Sequence, residues 1–275
     1  MSGIESAWVN GEARTRIDVH DRGLQFGDGL FETLAVIDGR IMHWERHRAR
    51  LMRGCQRLGL PQPPWEQLER ELQAAAADPP QAVLKLLYTC GCSLRGYARP
   101  DDIRAQRILL RSAWPAGLER HSPSGLRILW CRHRLASQPR LAGIKHLNRL
   151  DQVLARAEWK DPEINEGLLR NQDGHVIEGI ASNLFLVRNG VLHTPRLDKC
   201  GVAGVMREYL MASAYAAGIE VMESCMDVKD VIGADELLLC NSLMGLRPVA
   251  WLAGQRYETG PVTRHLLSLM NSESA

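Results

Sequence analysis

The sequence predicts an α+β protein built as two sub-domains, and three observations predict it. Asn10-Gly11, Asp38-Gly39 and Asn189-Gly190 each sit between apolar runs, the signature of two-residue type I′ hairpins, in both halves of the chain. Helical patterns fall between these hairpins, which suits an α+β arrangement better than a doubly wound sheet. Pro115, Gly117, Ser122, Pro123 and Ser124 cluster between two strand-like runs. That cluster divides the chain into α+β domains over residues 1–116 and 117–275.

Taken in order, WVNGEA is a hairpin, and in DRGLQFGDGLFETLAV the glycines at 23, 27 and 29 mark a turn before a strand from Leu30 to Ile37. His43 to Leu60 reads as a helix with Leu51, Cys55 and Leu58 on one face, stopped by Pro61, Pro63 and Pro64. A second helix follows from Trp65 to about Ala77. AVLKLLYTC and RILLRSAW are strands, the first with Lys85 facing outward. The second half opens with strand GLRILWC and a loop to LAGIKHLNRLDQVLARAE, where Asn148 is the expected N-cap. In that helix Asp151 suits the positive end, and Leu147, Leu150, Leu154 and Ala157 should face a core. The hairpins EGLLRNQDGHVIEG and SNLFLVRNGVLHTP follow, then a helix in GVAGVMREYLMASAYAAG. Strand IEVMES, a short helix near Val228 to Gly233, strands ELLLCNS and RPVAWLA, and a helix from Pro261 complete the chain.

Composition narrows the function. At 275 residues there is ample interior to bury an active site, and 45% hydrophobic with 24% charged residues is ordinary for a soluble globular protein. A net charge of +2 favours neither a nucleic-acid partner nor an acidic tail, and the basic run from Arg127 to Arg149 is broken by apolar residues. Seven cysteines without a CxxC read as reduced thiols of a cytoplasmic protein. No signal peptide, membrane span or HExxH-like metal spacing is expected.

Four features make sense as one site, although each has a second reading. Lys145, between Ile144 and a helix, is a candidate nucleophilic amine, or a lysine reaching water from a turn. The amides of Val205 and Met206, after Gly204, open a helix and offer a phosphate site, or Gly204 is only a cap. Arg50 is a second phosphate contact or one of several solvated arginines on its helix. Glu178, before Gly179, sits in a cleft or at a surface hairpin end. An amine to trap an aldehyde, a phosphate cradle and a carboxylate for a pyridinium nitrogen are what pyridoxal phosphate requires.

FGDGLFET, IKHLNRLDQVLARAE, VIEGIASNLF and TPRLDKCGVAGVMR, in that order, resemble the fold-type IV pyridoxal-phosphate enzymes over essentially the whole chain. The segments LAGIKHLNRL, RGY and CNSLM are closest to the lyases of that superfamily, which convert 4-amino-4-deoxychorismate to 4-aminobenzoate and pyruvate in folate synthesis. The resemblance implies a two-domain D-amino-acid aminotransferase-like fold, pyridoxal 5'-phosphate in a cleft between the domains, and a homodimer. It makes Lys145 the Schiff-base lysine and general base, and Glu178 the partner of the ring nitrogen. Arg50, Val205 and Met206 would bind the phosphate with Ser242, and Asn183 would support the ring or its hydroxyl. Arg95 and Arg149 are candidates for the carboxylates of a dicarboxylate substrate. The alternative on the same fold is a D-amino-acid or branched-chain aminotransferase; a binding module without a reactive lysine is the alternative from another class.

Overall fold

The computed structural model describes residues 4–93 and 96–273. Two compact units are present. The first takes the chain up to Leu118 and the segment Ile144–Asn148; the second takes Glu119–Gly143 and the chain from Arg149 onward. The segment that carries Lys145 thus belongs to the first unit and not to a contiguous second half.

In the first unit the elements are β1 (Ile4–Val9), β2 (Glu12–Ala13), α1 (Arg22–Phe26), β3 (Gly29–Ile37), β4 (Arg40–Ile41), α2 (Trp44–Leu58), α3 (Trp65–Ala76), β5 (Ala82–Thr89) and β6 (Gln106–Ala113). The strands form an antiparallel sheet in the order β2-β1-β6-β5-β3-β4. Both central residues of its two short hairpins have positive φ, at Asn10 and Gly11 and at Asp38 and Gly39, as a type I′ turn needs. The stretch expected to be only a glycine-marked turn contains α1. Asp21 caps it by accepting the Gly23 and Leu24 amides, and Gly27 closes it at φ 65°.

Helix α2 lies close on β3. A Cβ at Gly54 would come within 2.7 Å of Leu30, so glycine there permits the approach despite its cost of about 1 kcal/mol in a helix interior. Leu51 and Cys55 are buried, as the apolar face predicts. His47 and Arg50 precede Gly54 by two turns and one turn, and both are buried.

In the second unit the elements are β7 (Leu126–Leu135), α4 (Leu150–Arg156), β8 (Glu166–Asn171), β9 (Val176–Gly179), β10 (Asn183–Arg188), β11 (Val191–Pro195), α5 (Val205–Ala216), β12 (Val221–Ser224), α6 (Val228–Ile232), β13 (Glu236–Asn241), β14 (Gly245–Leu252), β15 (Gln255–Arg256) and α7 (Pro261–Glu273). The sheet runs β12-β11-β10-β13-β14-β7-β8-β9, with β15 paired to β14. It is mixed: β11–β12, β14–β7 and β7–β8 are parallel and the other pairs antiparallel. Phe185, Leu238 and Leu246 of the sheet pack with Leu210 of α5 and Leu266 of α7. Leu169 and Ile177 pack with Ala155 and Trp159 in a second apolar cluster.

Helix α4 departs from expectation in two ways. Its N-cap position is Arg149, and the Asn148 side chain instead donates to the Gly27 carbonyl at 3.2 Å. Its apolar residues do not line a core: Leu150, Val153 and Leu154 are 74%, 61% and 56% exposed, and Ala155 is the residue that is buried. Among the described residues no helix is long and apolar enough to cross a membrane.

Candidate active site

In the first unit the lysine is fixed by backbone pairing. The Phe31 amide donates to the Lys145 carbonyl at 2.9 Å and the Leu147 amide to that of Gly29 at 3.0 Å, so the segment runs antiparallel to the start of β3. At Gly29 a Cβ would lie 2.5 Å from the Tyr88 carbonyl and 2.9 Å from Leu147, so the pairing needs glycine. Lys145 is half-buried, with Nζ 4.4 Å from the centre of the Phe31 ring, within cation–π range.

Beside it lies a buried ionic group of which the sequence reading had named only Arg50. Glu32 accepts Arg50 Nε at 2.9 Å and Nη2 at 2.5 Å, and pairs with His47 Nδ1 at 2.6 Å. Burial would raise the Glu32 carboxyl, but the Arg50 charge and the His47 hydrogen bond outweigh it and hold the group at about 2. Burial also lowers His47; the bond to Glu32 opposes this, and the Arg50 and Lys145 charges add to it. With Glu32 ionised and the imidazole neutral, Nδ1 carries the proton and donates. Arg50 is therefore not one of several solvated arginines: two of its nitrogens are locked on Glu32. The available signal was a carboxylate in the apolar-rich run Leu30–Ile37.

Arg95 lies outside the described residues. Residues on either side of it, Ser93 and Gly96 to Ala98, are gathered on the buried guanidinium of Arg22. That group donates to Ser93 Oγ at 2.9 Å and to the carbonyls of Gly96, Tyr97 and Ala98 at 3.1, 2.9 and 3.2 Å. Asp28 holds the other edge at 2.8 Å.

In the second unit Glu178 and Asn183 grip one residue, Val202, from its two flanking peptide groups. Glu178, buried in β9, accepts the Val202 amide at 2.8 Å; Asn183, opening β10, donates to the Val202 carbonyl at 2.9 Å. Gly143 bonds both sides of the same stretch, donating to Gly201 at 2.9 Å and accepting from Ala203 at 3.0 Å. Gly204 then caps α5, and no side chain caps that helix start. A Cβ at Gly204 would stand 2.0 Å from Asn183 Oδ1, so only glycine fits the cradle that precedes the buried Val205 and Met206. The helix start thus presents amides and a positive dipole end to an anion. Asn183 acts on the loop that shapes this cradle.

Ser242 lies two residues past Cys240, the cross-strand partner of Asn183. Its turn is set by Asn241, whose Oδ1 accepts the amides of Leu243 and Met244 at 2.9 and 2.8 Å. Arg120 Nη1 donates to the Ser242 carbonyl at 2.5 Å. Arg149 precedes α4 and contributes no side-chain cap.

The fold and these two sets of groups define a member of the amino-transferase class IV family, to which the chain belongs: the family's sequence profile matches residues 29–252. The architecture is the fold-type IV one. The chain is 33% identical over 270 residues to an aminodeoxychorismate lyase of Vibrio harveyi, covering 96% of this chain and 99% of that one. The crystal structure of 4-amino-4-deoxychorismate lyase from Pseudomonas aeruginosa matches with a TM-score of 0.93 and 46% identity, covering 97% of this chain and 98% of that one. A putative branched-chain-amino-acid aminotransferase of Methanocaldococcus jannaschii is 27% identical over 262 residues, covering 93% of this chain and 90% of that one.

Proposed function

We propose that the chain is a pyridoxal-phosphate-dependent lyase that converts 4-amino-4-deoxychorismate to 4-aminobenzoate and pyruvate. The observation that carries this is likeness at 46% identity along nearly the full length of a lyase, against 27% for the aminotransferase relative. The residues present fit the cofactor. The glycine-only cradle at α5 suits its phosphate, the buried Glu178 suits its ring nitrogen, and the half-buried Lys145 suits its aldehyde.

Bound pyridoxal phosphate supplies an aldehyde that captures amines and a ring that takes up the electron pair left when the adjacent carbon loses a proton. The chain's own groups do the rest. Arg50, fixed by Glu32, holds the phosphate together with the Val205 and Met206 amides and Ser242. Glu178 retains the ring-nitrogen proton by charge. Lys145 Nζ would hold the cofactor until the substrate's amine takes its place, and the freed amine would then take the proton from the amine-bearing carbon of the substrate. The bond from the substrate ring to the enolpyruvyl oxygen breaks, the enolpyruvate leaves and takes up a proton to become pyruvate, and aromatisation drives the reaction forward. Arg95 and Arg149 are assigned to the two substrate carboxylates.

A homodimer is supported by the apolar residues exposed on α4, which would otherwise face water. Seven free thiols support a cytoplasmic location.

The test supplies 4-amino-4-deoxychorismate to the protein loaded with pyridoxal phosphate and follows both products. Equal, enzyme-dependent release of 4-aminobenzoate and pyruvate, abolished in Lys145→Ala, is the expected result. Transfer of an amino group to a 2-oxo acid with neither product formed would establish the aminotransferase reading in its place.

A further inference from the structure

Between Glu178 and Asn183 run only Gly179, Ile180, Ala181 and Ser182, so the spacing of the two gripping side chains is set by this short link. The Gly179 amide donates to the Ser182 carbonyl at 2.8 Å and the Ile180 amide to that of Gly167 at 3.0 Å. The Ala181 amide and the Ser182 hydroxyl both donate to Glu166 Oε2, at 3.1 and 3.0 Å. The Ala181 carbonyl accepts from Asn241 Nδ2 at 3.1 Å, which ties the link to the Ser242 turn. Glu166 Oε1 accepts the Gly167 amide at 3.0 Å. A Cβ at Gly179 would stand 2.2 Å from Ser182 Oγ and 3.1 Å from Glu166 Cγ, so the link lies tightly over that carboxylate.

We infer that Glu166 is a positioning residue for the cofactor site: its carboxylate holds the Gly179–Ser182 link and so sets Glu178 and Asn183 about Val202. It touches neither cofactor nor substrate. The inference rests on the proposed pyridoxal-phosphate function.

The energetics separate this role from simple support of the fold. Burial pushes the Glu166 carboxyl above its ordinary range, and its hydrogen bonds recover only part of that. For a group raised in the folded state, stability is greatest below the unfolded value and is lost as pH rises. The charge of the carboxylate therefore adds nothing to fold stability, and Glu166→Gln removes none by losing it.

The experiment compares wild type with Glu166→Gln, using the exposed Glu163→Gln as control. It measures thermal unfolding of the apoprotein, the dissociation constant for pyridoxal phosphate by titration of the apoprotein, and amide exchange at 180–183. Glu166→Gln should keep the wild-type unfolding midpoint, weaken cofactor binding about tenfold through misplacement of Glu178, and speed exchange at Ala181. Wild-type affinity in folded Glu166→Gln would overturn the inference. If Glu166→Gln yields no folded protein, Ser182→Ala decides, since it removes one partner of the carboxylate with little loss of bulk. Weakened affinity there supports the inference and unchanged affinity overturns it. Failure of the wild type to bind pyridoxal phosphate would overturn the functional reading and this inference with it, an outcome distinct from equal binding by both proteins.

Discussion

Replacing Glu32 by glutamine isolates the buried ionic group of α2 and β3 in the first unit. The change keeps the shape and removes the charge that two Arg50 nitrogens and His47 share. A carboxyl held down from its ordinary 4.5 to about 2 favours the ionised folded state by roughly 3 kcal/mol at neutral pH. Stranding one partner of a buried ion pair costs about 3–5 kcal/mol, so the two routes agree. Urea unfolding of the apoprotein at neutral pH should thus show Glu32→Gln less stable by about 3 kcal/mol. The pH dependence has a definite sign. Both Glu32 and His47 are lowered on folding, so each contributes stability above its unfolded value that is lost on acidification. Wild type should weaken first as His47 is driven to charge below its ordinary 6.5, and then as Glu32 is protonated from 4.5 down towards 2. The variant lacks the second loss, so its deficit should shrink below pH 4.5. A deficit under about 1 kcal/mol at neutral pH, the worth of an exposed pair, or one unchanged by acid, would refute the reasoning.

Gly204→Ala drives a Cβ into Asn183 Oδ1; a destabilisation of about 1–3 kcal/mol and weaker cofactor binding are expected, both partly relieved by adding Asn183→Ala. Glu178→Ala should retain measurable cofactor binding while losing most turnover; wild-type kcat in that variant contradicts its assignment. Leu154→Glu places a charge on the exposed α4 face without disturbing a core, so the monomer should stay folded while light scattering shows a fall in mass. An unchanged mass would remove α4 from the dimer contact.

Local rules carried far in this chain. The Asn-Gly and Asp-Gly hairpins, the apolar face of α2 and the glycine-led start of α5 follow from backbone sterics and side-chain period, which act over a few residues. Lys145, Glu178 and the helix amides were legible as types of group, because amine, carboxylate and orphan N–H chemistry is visible in sequence. Which partners those groups take was not. Arg50 read equally well as a solvated arginine until β3 brought Glu32 to it, across 18 residues of chain. Glu166 carried no motif, and Asn241 lay within CNSLM with no role assigned to it; their role lies in bonds to Ala181 and Ser182 made across a sheet. The helical apolar period of α4 is present, yet it faces outward, because periodicity shows that a helix has an apolar side and cannot show what meets it. Asn148 had the composition of a cap and bonded to Gly27 instead. Sequence by itself determined the elements and the chemical inventory; tertiary structure decided pairing and protonation, because both depend on groups that only folding brings within hydrogen-bond range.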